Sequence, residues 1–179
     1  MRIDEVELRR VRLPLVSPFR TSLGTDAARD ALRACLDQHP DVVIPNLAEA
    51  DAALFGRLDE AVEPQGADVR GAAVAAACGL RAAGAHAALV TAGRHGVAGV
   101  DTRGCFWVSA PAVTEVNPIG AGDSFAAGLA VGLERELELR EATLLAVATG
   151  SASVANPLAG GVDAELVARL LRRLAWEAV

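Results

Sequence analysis

Glu115-Val116-Asn117-Pro118-Ile119-Gly120-Ala121-Gly122-Asp123-Ser124-Phe125-Ala126-Ala127-Gly128 reads as a strand end, a turn holding two glycines, and the opening of a helix. Such a turn frees backbone N–H groups at the positive end of the helix dipole, where an anion such as phosphate can be held without any lysine. The dinucleotide fingerprint does not fit, because Phe125 stands where its third glycine belongs. Asp123 falls in the first helical turn, where the dipole favours a negative charge. It is either a dipole partner, as acidic residues at helix starts commonly are, or a positioned carboxylate.

Upstream of this stretch, short strand-like runs alternate with helical spacing. Asp26 is a plausible cap for a helix whose face carries Ala27, Ala28, Ala31, Leu32, Cys35 and Leu36, with Pro40 beyond its end. Val42-Val43-Ile44 reads as a buried strand, Pro45-Asn46 as a turn, and the chain to Gly56 as a helix. Asp68 to Ala83 is an Ala-rich helix closed by Gly84, and Ala87 to Thr91 is strand-like again. Three further strands are expected at Val97–Val100, Cys105–Ser109 and Ala112–Val116, and the rest, from Gly122 on, is helical in three pieces. Residues 2 to 13 alternate apolar and charged residues as a half-buried strand does, until Pro14 and Pro18 stop it. The pattern predicts an α/β layered domain with a mainly parallel sheet and an antiparallel meander in its middle.

Composition sets the limits. The 179 residues, 52% hydrophobic and 22% charged, suffice for one globular domain rather than two. Aromatics are 3% and Ala numbers 38, so helices packed through small side chains should supply much of the core. All 17 cationic side chains are arginine. Without a lysine, a Walker A loop, Schiff-base and pyridoxal chemistry, and Ser-x-x-Lys hydrolysis are excluded. A net charge of −6 and no Arg cluster interleaved with aromatics argue against nucleic acid. Cys35, Cys78 and Cys105 are far apart in sequence and read as reduced core thiols of a cytoplasmic protein. No apolar run reaches membrane-span length, and Arg2, Asp4, Glu5 and Glu7 break a signal-peptide pattern. His39, His86 and His95 lack metal-ligand spacing.

Asn117 to Ala130 resembles the C-terminal signature of the ribokinase-like (PfkB) carbohydrate kinases, with the hallmark Gly-Ala-Gly-Asp complete at Gly120 to Asp123. Val42 to Glu49 resembles the family's Pro-Asn-x-x-Glu segment, and Val90 to Gly96 its strand and Gly-x-x-Gly nucleotide loop. The resemblance implies a three-layer sheet flanked by helices, and ATP-dependent phosphoryl transfer to a sugar hydroxyl. Asp123 would be the base, with the backbone of Gly120, Ala121 and Gly122 stabilising phosphate charge. Asn46 and Glu49 would organise Mg2+ through its waters, although Asn-x-x-Glu before an apolar run is also a capping box and both roles can coexist. Thr91, Gly93 and Gly96 would line the nucleotide, the glycines being equally explicable as a hairpin turn. Ala146 to Ala155 resembles the late helix beside the adenine, its small residues also suiting core packing. Within the family, Asn117-Pro118 in place of the commoner Asp-Thr, together with Pro45-Asn46-x-x-Glu49, looks most like the branch of fructose-1-phosphate (1-phosphofructokinase), fructose-6-phosphate and tagatose-6-phosphate kinases, hence a sugar-phosphate substrate; a homodimer is open.

Family members are longer, and the N-terminal sugar-binding half and lid are not recognisable here. Met1 to Thr25 instead resembles the opening of an enolase-superfamily enzyme of the o-succinylbenzoate synthase type, whose catalytic lysines this chain lacks. The expected organisation is a foreign-looking segment at 1–25 and the nucleotide-binding part of a kinase at 26–179, a fusion or truncation. Two functions follow: a phosphofructokinase-like kinase, or a nucleotide-binding remnant without turnover.

Overall fold

The computed structural model describes residues 26–56 and 68–179, so the expected strand at residues 2 to 13 lies outside the described residues. Asp26–Leu36 forms α1, Val42–Val43 β1, Leu47–Phe55 α2, Val69–Ala82 α3 and Ala87–Thr91 β2. A single 3-10 turn at Gly93–His95 leads into β3 (Gly96–Asp101) and β4 (Gly104–Ser109). Ala121–Glu134 is α4, Leu139–Val154 α5, Ala164–Leu171 α6 and Trp176–Ala178 β5.

The helix ends follow their local chemistry. Asn46 and Glu49 close a reciprocal capping box on α2, and Gly56, at φ 68°, ends that helix in the left-handed conformation. The Asp68 carboxylate accepts from the Gly71 N–H to start α3.

The five strands form one sheet in the order β1-β2-β3-β4-β5. Only β1 and β2 run parallel; the β2–β3, β3–β4 and β4–β5 pairs are antiparallel. The mainly parallel sheet is therefore corrected to a mixed sheet that is largely antiparallel among the described residues. The cause is connection length, since β3 follows β2 after four residues and β4 follows β3 after two, too few for a parallel crossover.

Two further expectations are revised. Ala112–Val116 pairs with no strand among the described residues; its end is tied instead to α5, the Val116 and Asn117 N–H groups both donating to the Val154 carbonyl. The last residues are not all helical: β5 pairs with β4, while Trp176 joins the core beneath α5 and donates to Glu141 at 3.3 Å.

Both sheet faces are covered. Ala88, Val90, Ala98, Val100 and Trp107 face a cluster with Ala73, Ala76, Ala77 and Leu80 of α3. The alternate residues Leu89, Val97, Phe106 and Val108 face Phe125 and Leu129 of α4 and Ala142, Ala146 and Val147 of α5. That period-two division places α1–α3 on one side and α4–α5 on the other.

Phe106 is fully buried and lies opposite Gly99 in the β3–β4 register. A Cβ on Gly99 would enter the Phe106 ring. Gly99→Ala is expected to cost about 1–3 kcal/mol by overpacking. The Gly99→Ala, Phe106→Leu double variant should recover part of it. Urea denaturation measures both, and a single-variant loss below about 0.5 kcal/mol, the scale of an ordinary surface change, would remove the packing explanation.

A buried ion pair crosses from sheet to helix. Arg140, 5% exposed, donates from Nε to Asp101 at 2.8 Å and from Nη2 at 2.9 Å, and also reaches the Gly104 carbonyl at 3.3 Å. Its guanidinium lies 5.0 Å from the Phe106 ring centre and 4.7 Å from that of Trp176. The Arg140 hydrogen bonds hold the Asp101 carboxyl below its ordinary range against the opposing effect of burial, helped by the Arg103 N–H.

Candidate functional site

Three parts of the fold converge at one end of the sheet around a cleft of about 520 Å³. Thr91, Gly93 and Gly96 come from the β2–β3 turn, Ala121, Gly122 and Phe125 from the start of α4, and Gly150, Ser151 and Val154 from α5. Thr91, Gly93, Gly96, Ala121 and Gly122, far apart in sequence, thus share one wall-to-wall space. The expected adenine-side helix contributes Val147, Gly150, Ser151 and Val154.

The opening of α4 is built by close backbone approach. Gly120 adopts φ 84°, and a Cβ there would meet the Gly160 nitrogen at 2.7 Å, so only glycine suits this position. The Asn117 amide pins the turn, donating to the Pro157 carbonyl at 3.2 Å and accepting from the Ile119 N–H at 3.0 Å. The Ser124 N–H donates to the Gly120 carbonyl at 2.9 Å, which begins the helical ladder. Ala121 N–H is committed to the Pro118 carbonyl at 3.2 Å. The N–H groups of Gly120, Gly122 and Asp123 have no acceptor among the described residues. They form the unsatisfied donor set of a helix N-terminus.

Asp123 is exposed in the first turn of α4 and makes no hydrogen bond or ion pair among the described residues. Its carboxylate is free to accept a proton or a hydroxyl. It does not line the cleft itself, and neither does Gly120, which sits behind the turn.

Asn46 and Glu49 lie at the start of α2, off the cleft lining; Asn46 forms a parallel bridge with Thr91 of the cleft wall. Both side chains are engaged: Glu49 N–H donates to Asn46 Oδ1 at 2.8 Å and Asn46 N–H to Glu49 Oε2 at 3.0 Å. No group of three or more His, Cys, Asp or Glu among the described residues could hold a metal directly. What remains is Glu49 Oε1, a single carboxylate oxygen off the cleft lining, which could reach a Mg2+ ion only through its waters and not as a direct ligand shell.

The turn at Gly93–Gly96 is both a hairpin connection and a cleft wall. A Cβ on Gly96, at φ 135°, would run into the Val108 carbonyl of β4. Sequence reasoning missed Arg94, the one cation among the lining residues, and the Ala110–Val113 run beside it. The all-arginine composition and the position of Arg94 inside the quoted glycine loop were the available signal. Of the three cysteines, Cys35 is exposed, while Cys78 and Cys105 are half-buried and in contact, which corrects the reading of three separated core thiols. No helix among the described residues is long and apolar enough to cross a membrane.

The N-succinylamino acid racemase of Amycolatopsis sp is 59% identical over 32 residues, 18% of this chain and 9% of that protein, a share too small to carry a family. The 1-phosphofructokinase of Escherichia coli (strain K12) is 30% identical over 149 residues, 83% of this chain and 45% of that protein. This chain thus spans about half the length of the curated kinases it matches. The crystal structure of phosphofructokinase-2 from Escherichia coli in complex with potassium superposes with a TM-score of 0.65 at 28% identity, over 80% of this chain and 44% of that one. The description "pfkB family carbohydrate kinase" matches residues 8–164. A match of that extent, on a sheet and helix arrangement shared with a solved sugar kinase, assigns this chain to the pfkB family of carbohydrate kinases.

Proposed function

We propose that the cleft binds ATP with Mg2+ and that Asp123 serves as base for phosphoryl transfer to a hydroxyl of a sugar phosphate, in the manner of a phosphofructokinase. The observation that carries this reading is the set of acceptor-free N–H groups at Gly120, Gly122 and Asp123 beside a cleft whose other walls are the Gly93–Gly96 turn and the small face of α5. Those amides would hold phosphate oxygens, and Gly150, Ser151 and Val154 leave room for a flat base against the helix. Arg94 adds a positive charge at the mouth without needing a lysine. Asp123, with no competing partner among the described residues, would take the acceptor hydroxyl's proton. Mg2+ supplies neutralisation of charge on the transferring phosphate when bound. Asn46 and Glu49 would orient its waters.

In this reading residues 26–179 are the nucleotide-binding part of the kinase, the protein is cytoplasmic, and a homodimer is open. The family match, which begins at residue 8, runs across the 25/26 boundary. A second reading is nucleotide binding without turnover, because catalysis requires both reactants to be positioned and the described cleft accounts for the nucleotide side.

The test is a nucleotide-dependent melting shift on the full chain. Magnesium ATP at millimolar concentration is expected to raise the melting temperature, since a ligand specific for the native state must stabilise it. A Cβ on Gly122 meets nothing within 4 Å, so the Gly122→Val side chain starts in open space beside those amides. That variant should melt within a few degrees of the parent and lose at least about tenfold in nucleotide affinity, roughly 1.4 kcal/mol. No response of the parent, or an undiminished response of Gly122→Val, overturns the nucleotide assignment.

A further inference from the structure

Cys78 of α3 and Cys105 of β4, 27 residues apart, bring their Sγ atoms to 2.6 Å, inside ordinary van der Waals separation. Both are half-buried where α3 packs on the sheet, whereas Cys35 stands exposed on α1. Neither sulfur lines the cleft, so the pair is independent of the proposed nucleotide site. We propose that Cys78 and Cys105 are a dithiol modification site, closed to an intramolecular disulfide by exchange with a small-molecule disulfide such as oxidised glutathione.

The chemistry balances in two exchanges. One cysteine thiolate attacks a sulfur of the small disulfide, giving a mixed disulfide and releasing one small thiol. The second cysteine thiolate attacks the protein sulfur of that mixed disulfide, forming the Cys78–Cys105 bond and releasing the other small thiol. The two protein thiols lose two electrons, the reagent gains them, and the two cysteine protons end on the released thiols. Proximity favours the second step over a stable mixed disulfide, because the partner sulfur is already in contact. Burial beside Cys78 pushes the Cys105 thiol up to about 11; Cys78 and Asp101 add to the rise and Arg81 opposes it, while Arg140 lies within electrostatic reach. Cys105 is therefore protonated near neutrality, and closure accelerates with rising pH.

The test uses Cys35→Ser to remove the exposed thiol. After oxidised glutathione, this variant is expected to lose both titratable thiols, fall in mass by about 2 Da, retain no glutathione and yield a linked Cys78–Cys105 peptide. Its rate should climb by about tenfold per pH unit below 11 where Cys105 attack limits. The Cys35→Ser, Cys105→Ser variant should instead hold one glutathione. Two titratable thiols remaining, or cross-linked dimers alone, would overturn the proposal; if either variant fails to fold, the unmutated full chain is read by the linked Cys78–Cys105 peptide, because its exposed Cys35 can itself hold a glutathione, and absence of that peptide overturns the proposal equally.

Discussion

Asp123→Asn is expected to lower sugar-phosphate phosphorylation by about 10²–10⁴-fold, the usual contribution of a positioned general base. The assay uses the chain alone or supplied with the sugar-binding half of a longer relative. Asparagine keeps the size of the side chain and can remain in the first turn of α4, where Asp123 is exposed and makes no hydrogen bond or ion pair among the described residues. It cannot accept a hydroxyl proton. Nucleotide affinity should change little, because the amides of Gly120 and Gly122 are untouched by the substitution. Were the carboxylate only a partner of the helix dipole, the change would move stability by about 1 kcal/mol or less and leave turnover as it was. Kinetics beside a melting curve separate these outcomes, and turnover equal to that of the parent would refute the base assignment.

Arg140→Met is expected to destabilise the fold by about 3–5 kcal/mol, because it strands the Asp101 carboxylate. Asp101 is 8% exposed, and beyond Arg140 it keeps only the Arg103 N–H at 2.7 Å and the more distant Arg103 Nε at 3.7 Å. Methionine fills the space between the Phe106 and Trp176 rings but donates nothing. The Asp101→Leu, Arg140→Met pair should regain most of the loss, since no charge is then left unpaired. The same contact sets a pH dependence. A carboxyl held below its ordinary 3.8 contributes stability that is complete above that value and disappears as pH falls through the lower folded-state value. The parent should therefore lose stability steeply on acidification below about pH 4, and Arg140→Met should show a shallower acid limb. A single-variant loss under about 1 kcal/mol, the scale of an exposed pair, would mean that the pair is not functionally buried.

Much of the local structure was legible because it is decided by near neighbours. The box at Asn46 and Glu49, the left-handed end at Gly56, the Asp68 start of α3 and the glycine turn before α4 each rest on residues a few positions apart. Strand direction was less accessible. Ala87–Thr91 and Gly96–Asp101 look alike by apolar content, and only the short link between them dictates antiparallel pairing. Ala112–Val116 has strand-like composition, yet the Val116 N–H at its end, with that of Asn117 beside it, goes to the last carbonyl of α5, a partner far along the chain that no local pattern announces. Trp176 is similar: its strand exists because β4 offers an open edge. At the site, the glycines were visible as motif residues, whereas Arg94 became distinguishable from other surface arginines only once the β2–β3 turn faced α4.

The glycines between α4 and α5 have a mechanical consequence. A Cβ on Gly128 would stand 2.7 Å from Thr149 Oγ1, and one on Gly132 would stand 2.8 Å from the Ala142 side chain; one on Gly150 would be less crowded, 3.2 Å from the Ala121 carbonyl and 3.3 Å from Phe125 Cβ. Helices meshed this closely along their length cannot slide past one another without collision. The two therefore behave as one stiff bar, and the amides at its tip keep a set distance from the Gly150–Val154 floor. Whatever opening and shutting the cleft undergoes must be taken up by its opposite jaw at Gly93, where a Cβ would meet nothing within 4 Å, and along Pro111–Val113, since Gly96 is itself wedged against β4 and the Ala110 N–H is tied to the His95 carbonyl.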